Sequence, residues 1–424
     1  MHSIECIRKI EIYNIMSKRN LLKLASALLA ALVVTGCAKS SKPTAENPGG
    51  YDTATGLEYN GKDDNSFAVR EYNGMPEVPN MRYIEGGRFV LGSYEEDLMK
   101  SRDNLERTVS VASFWMDETE VSNINWLAYL HYVSTDSSVS GISYEEALPD
   151  TTVWAEQLAF NDQYVDHYLR YPGFRQHPVV GVTWTQAQNY CAWRTSVVNK
   201  NLAVSDGTDE EAEAAENGEP IPLESGVVLP AFRLPTEAEW DYAAQALIGL
   251  QDIDENYSER RIYPWSGHSV RNPYGDHMGD MMANFKRGRG DYAGIGGKLN
   301  DGAMVTSSVY DNPPNDFGLY NMAGNVSEWV EDIYRPLSYA DMDDLNPVRK
   351  NDYLDGPEQG YNYQSYGYVR QYESFISNSI RVYKGGSWKD VAYWMAAGTR
   401  RFLDQDSATA TIGFRCAMIN PGEN

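Results

Sequence analysis

The chain has 424 residues, of which 60 are acidic and 36 basic, giving a net charge of −24 and a sequence pI near 4.6. Such a charge excludes nucleic acid as a partner and opposes adsorption to anionic lipid head groups. Proteins or cations are therefore the expected partners. With 42% hydrophobic residues the chain is long enough for one large folded domain or two ordinary ones.

The first 36 residues form a leader of the kind that directs export. Lys18 and Arg19 precede an apolar run at 21–34 that is interrupted only by a lysine and a serine. This run is too short to cross a bilayer about 30 Å thick. The basic residues follow Met16 closely, so Met16 is the expected start of translation.

Cys37 follows the small residues Thr35 and Gly36, as in a lipoprotein processing site where the thiol is acylated. Three acyl chains would hold the protein on a membrane firmly, since a single chain binds only marginally. An aspartate directly after the lipidated cysteine is an inner-membrane retention signal in many bacteria, and Ala38 stands there instead. The expected location is therefore the periplasmic face of an outer membrane. The alternative is an ordinary signal peptide that contains a cysteine.

Residues 37–80 are rich in Ser, Pro, Asn, Gly and Asp without periodicity, so a flexible tether is expected between the lipid and a folded domain at 81–422. Three helices are predicted, at 122–133, at 185–198 and from Pro235, where Thr236 and Glu239 have the spacing of a capping box. Glycines and prolines separate short strands elsewhere. An irregular α+β domain with long loops is the predicted fold class.

Two segments of unusual composition interrupt this domain. Residues 201–228 contain eight acidic residues and no basic one, which predicts a solvated insertion loop, with a specific docking element as the alternative. Residues 352–373 carry six tyrosines among Gly, Gln, Asn and Asp. Tyrosines at that density suit a binding surface, although they would equally suit a loop-rich core.

Seven short motifs occur in the order typical of the formylglycine-generating enzyme family, an irregular relative of the C-type lectin architecture. They include Gly-Gly-Ser-Trp at 385–388 and Gly-Phe-Arg-Cys at 413–416. The motifs lie at 84–92, 114–123, 177–184, 233–244, 318–329, 384–388 and 413–417. The chain thus resembles this family, also called sulfatase-modifying factors, and the resemblance implies the same fold.

The resemblance does not extend to the catalytic positions. Enzymes of the family carry two cysteines just downstream of the Gly-Gly-Ser-aromatic motif, where the thiolates bind copper and oxidise a substrate cysteine. Residues 388–398 contain no cysteine here, and neither Asp390 nor Met395 reproduces a site of two soft thiolate donors. A domain without this activity and without copper is therefore expected.

The resemblance also implies a structural disulfide between Cys191 and Cys416, as expected for an exported protein, with two buried free thiols as the alternative. It implies two calcium sites built from hard oxygen donors, with Asx turns that hold no ion as the alternative. The first set is Asn321, Gly324, Val326 and Glu328, and the second is Asn284, Phe285, Asp301 and Ala303. The six histidines show no spacing typical of zinc ligands.

The leader, the tether and the cysteine-depleted domain together resemble the gliding-motility lipoproteins of Bacteroidetes, of the J and K types. The sequence segments 147–154 and 167–174 favour the J type. The resemblance implies a structural subunit of the gliding and type IX secretion machinery, with other proteins of that machinery as partners. Two other functions stay open, a lectin-like binder of glycan or peptide that uses the tyrosine-rich segment, and a periplasmic oxidase with a rebuilt site.

Overall fold

The computed structural model describes residues 49–61, 67, 69, 74–93, 97–100, 102–135, 142–219, 221–248, 261–297, 300–335, 342–349 and 379–422. Two compact units divide the chain, residues 1–71 and 72–424. In the first unit Tyr51 and Glu58 form an antiparallel bridge, and the Asp52 carboxylate accepts the Thr55 amide at 2.8 Å. The leader, Cys37 and the tyrosine-rich segment 352–373 lie outside the described residues.

The second unit mixes helices with three small sheets. Its first four strands are β1 (Met81–Ile84), β2 (Gly87–Leu91), β3 (Arg107–Val111) and β4 (Phe114–Asp117). Strands β2 and β3 pair antiparallel as a two-stranded sheet. A second sheet has the order β1-β4-β9, in which β9 (Ala417–Ile419) brings the end of the chain beside β4.

The third sheet has the order β7-β6-β5-β8. Its strands are β5 (Ser327–Ile333), β6 (Ile380–Lys384), β7 (Arg401–Asp404) and β8 (Ile412–Gly413). All neighbours pair antiparallel except β5 and β8. Nearly every residue of β5 is buried, so this strand is covered on both faces and its sequence does not alternate.

Helices surround these sheets, and all three predicted helices are confirmed. The helices are α1 (Asn123–Thr135), α2 (Tyr144–Ala147), α3 (Asp162–His167), α4 (Trp184–Asp206), α5 (Asp209–Asn217) and α6 (Glu237–Gln245). Short 3-10 turns lie at Thr151–Trp154, Pro172–Phe174, Leu223–Ser225, Gly275–His277 and Ala392–Met395. The Thr236 hydroxyl caps α6 and Glu239 returns the bond, as the capping-box spacing predicts.

The prediction of a loop at 201–228 was wrong for much of the segment, because α4 runs on to Asp206 and α5 follows. The Thr208 hydroxyl caps α5 in a capping box with Glu211, and three acidic residues occupy its first turn. Negative charge at a helix N-terminus is favourable because it opposes the helix dipole. The acidic residues from which a loop was predicted therefore stabilise the first turn of α5.

The largest core cluster is aromatic and joins α1, α4 and the end of the chain. Trp126 and Tyr190 stack with ring centroids 5.4 Å apart, and Phe414 meets both rings edge-on. A second cluster packs α6 against β2 and β3 through Trp240 and Phe89. The mixture of helices and small sheets agrees with the α+β class. No helix among the described residues is long and apolar enough to cross a membrane.

Candidate functional site

The turn after β6 corresponds to the catalytic position of the enzymes that the sequence resembles. Gly385 and Gly386 have φ of +91° and +69°, in the left-handed region that favours glycine. A Cβ on Gly385 would lie 3.0 Å from the Trp240 ring, and one on Gly386 would lie 3.0 Å from the Trp394 backbone. These glycines therefore let the chain turn back closely against α6 and hold Ser387 in place.

Asp390, in the stretch where the resemblance expects the two cysteines, forms a two-point ion pair with Arg401. The Arg401 Nη1 and Nη2 atoms lie 2.7 and 2.6 Å from the two carboxylate oxygens, and Nη2 also donates to Ser327 Oγ at 3.1 Å. The Ser387 hydroxyl donates to the same carboxylate. Both Asp390 oxygens are therefore engaged by a positively charged partner.

Met395, in the same stretch, is fully buried. It packs with Met281, Ala283, Phe285 and Ala323 in an apolar cluster. A thioether in such a cluster has no exposed sulfur to offer a substrate. The turn thus contains a carboxylate paired with Arg401, a buried thioether and no cysteine.

The two remaining cysteines of the folded unit meet as the sequence predicts. Cys191 on α4 and Cys416 before β9 lie 225 positions apart in the chain, and their Sγ atoms are 3.4 Å apart and fully buried. This is a contact between thiols rather than a covalent bond, so the disulfide stays a prediction. Burial, with the second thiol beside it, raises the pKa of Cys191 well above its usual value.

The first predicted calcium set lies in a buried cluster that contains two acidic side chains and one guanidinium group. Arg415 binds both oxygens of Glu328 at 2.7 and 2.6 Å, and Asn321 and Asn325 donate their side-chain amides to Glu120. Burial, more than the charge of Glu328, raises the pKa of Glu120 to about 8. Arg415 already pairs with both oxygens of Glu328, and the Asn321 amide oxygen already accepts a hydrogen bond from Asn312 at 2.9 Å, so calcium at this set stays a prediction.

The second predicted set fits an ion less well. The Asp301 carboxylate is buried and lies 3.0 Å from Arg287 Nη1, and its Oδ1 accepts the Ala303 amide at 3.1 Å. The Asn284 amide donates to the carbonyl of Val305 at 2.7 Å. Because Arg287 already neutralises the acidic member, this set does not call for a cation.

Sequence reasoning missed a buried cluster of charged side chains between α6, β5 and β6. Lys384 is fully buried and lies 2.8 Å from Asp241 and 3.4 Å from Glu237. The cluster consists of Glu237, Asp241, Asp332, Arg349, Lys384 and Arg400. Three acids against three bases balance its charge. Glu237, Asp241 and Lys384 stand inside or beside the quoted motifs, but no local pattern showed that they meet.

Within the described ranges, no group of three or more His, Cys, Asp or Glu side chains is arranged so that it could hold a metal ion. The His277 Nδ1 atom lies 3.1 Å from Asp280 in an exposed pair. Sequence reasoning also missed a cavity beside Arg401, lined by residues from four distant parts of the chain. Its geometry is given below.

The family model described as "Sulfatase-modifying factor enzyme 1-like domain" matches residues 66–419. The chain belongs to this family. The match includes every strand of the second compact unit, from β1 to β9. It thereby confirms at the level of the family the resemblance that the seven motifs carry.

The chain is similar to the formylglycine-generating enzyme of Bos taurus, 26% identical over 368 residues that cover 81% of this chain and 76% of the relative. It is also similar to the inactive C-alpha-formylglycine-generating enzyme 2 of Bos taurus, 26% identical with coverage of 81% and 89%. Among solved structures, PvdO from Pseudomonas aeruginosa matches with a TM-score of 0.45 and 20% identity over 80% of this chain and 94% of that one. Both active and inactive relatives thus share this domain.

Proposed function

We propose that this sulfatase-modifying factor domain is non-catalytic and acts as a structural subunit of the gliding-motility and type IX secretion machinery, anchored by lipid to the periplasmic face of the outer membrane. The observation that carries the non-catalytic part is the turn after β6. No cysteine occurs at 388–398, Asp390 is bound to Arg401, and Met395 is buried. That the family contains a relative named inactive supports this reading.

Loss of the thiolates removes the chemistry of the enzymes at its first step. Copper(I) selects soft sulfur ligands, and a carboxylate held by a guanidinium is neither soft nor available. Met395 would need to leave an apolar cluster before its sulfur could meet a metal. A copper-dependent thiol oxidation at this turn therefore has no donor set among the residues present there.

The interior of the domain is tightly connected by hydrogen bonds, as expected for a rigid subunit that lies between partner proteins. Arg415 joins Glu328 to the carbonyl oxygens of Tyr320 and Asp117, at 2.8 and 3.1 Å, and so links three segments distant in the chain. The contact of Cys191 with Cys416 ties α4 to the strand at the end of the chain. Such cross-links suit a rigid body that presents loops to other proteins.

The lipid anchor is inferred from the sequence around Cys37 alone, because this residue lies outside the described residues. Acylation of this cysteine would keep the domain close to one membrane leaflet, where the tether gives it reach. The matched variant is Cys37→Ser, which removes the acylated thiol and leaves the folded unit unchanged. Metabolic labelling with a radioactive fatty acid should label the unchanged chain and not this variant.

The function is tested in a strain that lacks the gene. We expect loss of surface spreading and of secretion through the type IX pathway, restored by the unchanged gene and not by the Cys37→Ser form. Purification from membranes should also yield other machinery proteins in fixed stoichiometry. Normal secretion and spreading in the deletion strain would contradict the proposal.

A structural calcium ion in the first site is a further part of the proposal. Asn321, Gly324, Val326 and Glu328 would hold it, with an amide oxygen, two backbone carbonyls and a carboxylate as ligands. When bound, the ion would favour the ionised form of Glu120, whose pKa burial raises to about 8 in the ion-free cluster. The second set, with Asp301 neutralised by Arg287, is the weaker candidate.

A further inference from the structure

A cavity of about 320 Å³ lies between the connection that follows β2 and the segment that leads into β7. Tyr393 and Trp394, from the turn after β6, form one side of it, and Arg401 lies between the cavity and Asp390. The lining residues used below are Asp97, Asp103, Tyr334, Tyr393, Trp394 and Phe402. Its volume is at the lower end of the range typical of small-molecule sites.

Aromatic rings dominate its walls. Tyr334 and Phe402 stack with centroids 3.9 Å apart, and Tyr393 meets Trp394 edge-on at 4.8 Å. Phe402 lies on β7, at the edge of its sheet, and is 50% exposed, so its ring is accessible to a ligand. Flat aromatic walls pack best against a ligand that has a flat apolar face of its own.

The charges around the cavity argue against an ionic ligand. The Arg401 guanidinium is bound to Asp390 and lies 4.9 and 4.8 Å from the rings of Tyr383 and Trp394. Arg400 lies 3.3 Å from Glu237. The Asp97 and Asp103 carboxylates, which also line the cavity, have the Tyr393 and Tyr334 hydroxyls as partners. A charged ligand of either sign would therefore meet only counter-charges that already have partners. A neutral ligand avoids this cost.

Polar groups stand at the edge of the aromatic walls. The hydroxyl of Tyr393 lies 3.4 Å from Asp97 Oδ1, and that of Tyr334 lies 3.1 Å from Asp103 Oδ2. A ligand here would therefore need both donors and acceptors around an apolar ring.

We propose that this cavity binds a neutral hexopyranose unit of a glycan. The C–H face of the sugar ring packs on the walls formed by Phe402 and Trp394. Its hydroxyl groups bond to the Tyr393 hydroxyl and the Asp97 carboxylate at the edge. The site does not depend on the proposed place in the secretion machinery, and it gives the domain a ligand class of its own.

The test is saturation-transfer NMR on the full chain in a detergent without a sugar head group. The probes are the methyl glycosides of glucose, galactose, mannose and N-acetylglucosamine, with tetramethylammonium and benzoate as charged comparators. We expect millimolar binding of at least one glycoside, weakened about tenfold in Phe402→Ala. Tyr393→Phe, which keeps the ring and removes the hydroxyl, should weaken it less.

Tyr274→Ala is the matched control, because Tyr274 is exposed and does not line the cavity. Its affinity should equal that of the unchanged chain, and thermal unfolding should show that every variant is folded. Absence of binding for all four glycosides would overturn the proposal. So would glycoside binding that survives Phe402→Ala, or tighter binding of either charged comparator at the same rings.

Discussion

Replacing Arg415 with methionine tests the buried charge cluster most severely. The Arg415 side chain is fully buried and makes two charged hydrogen bonds to Glu328, at 2.7 and 2.6 Å, and one to the Tyr320 carbonyl at 2.8 Å. Methionine fills similar volume but carries no charge or donor. Glu328 would then stay buried without its counterion beside Glu120.

Removing one partner of a buried ion pair costs about 3 to 5 kcal/mol, because the other charge stays desolvated. We expect Arg415→Met to lower the free energy of unfolding by about 4 kcal/mol. The measurement is urea denaturation followed by tryptophan fluorescence at pH 7, in the presence of a calcium chelator. The slope of unfolding free energy against urea should stay the same if the fold is unchanged.

Arg82→Met is the matched control, because its ion pair with Glu118 at 2.7 Å lies at the surface with Arg82 52% exposed. Exposed pairs contribute roughly 0 to 1 kcal/mol, so this variant should unfold almost as the unchanged chain does. The double variant Arg415→Met with Glu328→Gln should recover part of the loss. A cost below about 1 kcal/mol for Arg415→Met would refute the reasoning.

Three further predictions follow from the site. Export should leave Cys191 and Cys416 oxidised, because their sulfur atoms lie 3.4 Å apart, and a thiol reagent should then find no reactive group in the denatured exported chain. Calcium should raise the melting temperature and a chelator lower it, with the effect lost in Glu328→Gln. Burial lowers the pKa of His177, so the unfolded chain binds more protons below about pH 6.5 and stability should fall as pH drops through that range.

Each has its own control. Two thiols that titrate in the exported chain would show that the cysteines stay reduced. An equal calcium effect in Asp301→Asn would move the ion to the second set. His177→Gln should flatten the acid limb of the stability curve, measured by urea denaturation between pH 5 and 8, and an unchanged slope would assign that limb to other groups.

Local signals in the sequence were the most reliable guide to the fold. The start of α6 was predictable because Thr236 and Glu239 meet within one turn, without help from distant residues. The extent of α4 was not, since the segment to Asp206 lacks an apolar period and its helical state depends on the packing of Leu202 and Ala203. Acidic composition misled because the same residues suit a loop and a helix start.

Sites assembled from distant segments were harder to predict. The family resemblance brought Cys191 and Cys416 together, and the structure places them in contact. Nothing in the sequence linked Phe402 to Tyr334, or Arg400 to Glu237, because these contacts depend on how β5, β6 and β7 pack. The partners of Glu328 and Asp301 could not be predicted either, although each acidic member of the two calcium sets is paired with an arginine.

The most direct test of the central claim measures copper and oxygen on one purified sample. The chain is incubated with copper(I) under reducing conditions, desalted and assayed for metal, and oxygen uptake is followed with a cysteine-containing peptide. A domain whose turn holds Asp390 against Arg401 and buries Met395 should retain no stoichiometric copper and consume no oxygen. One copper per chain together with oxidation of the peptide would contradict the claim.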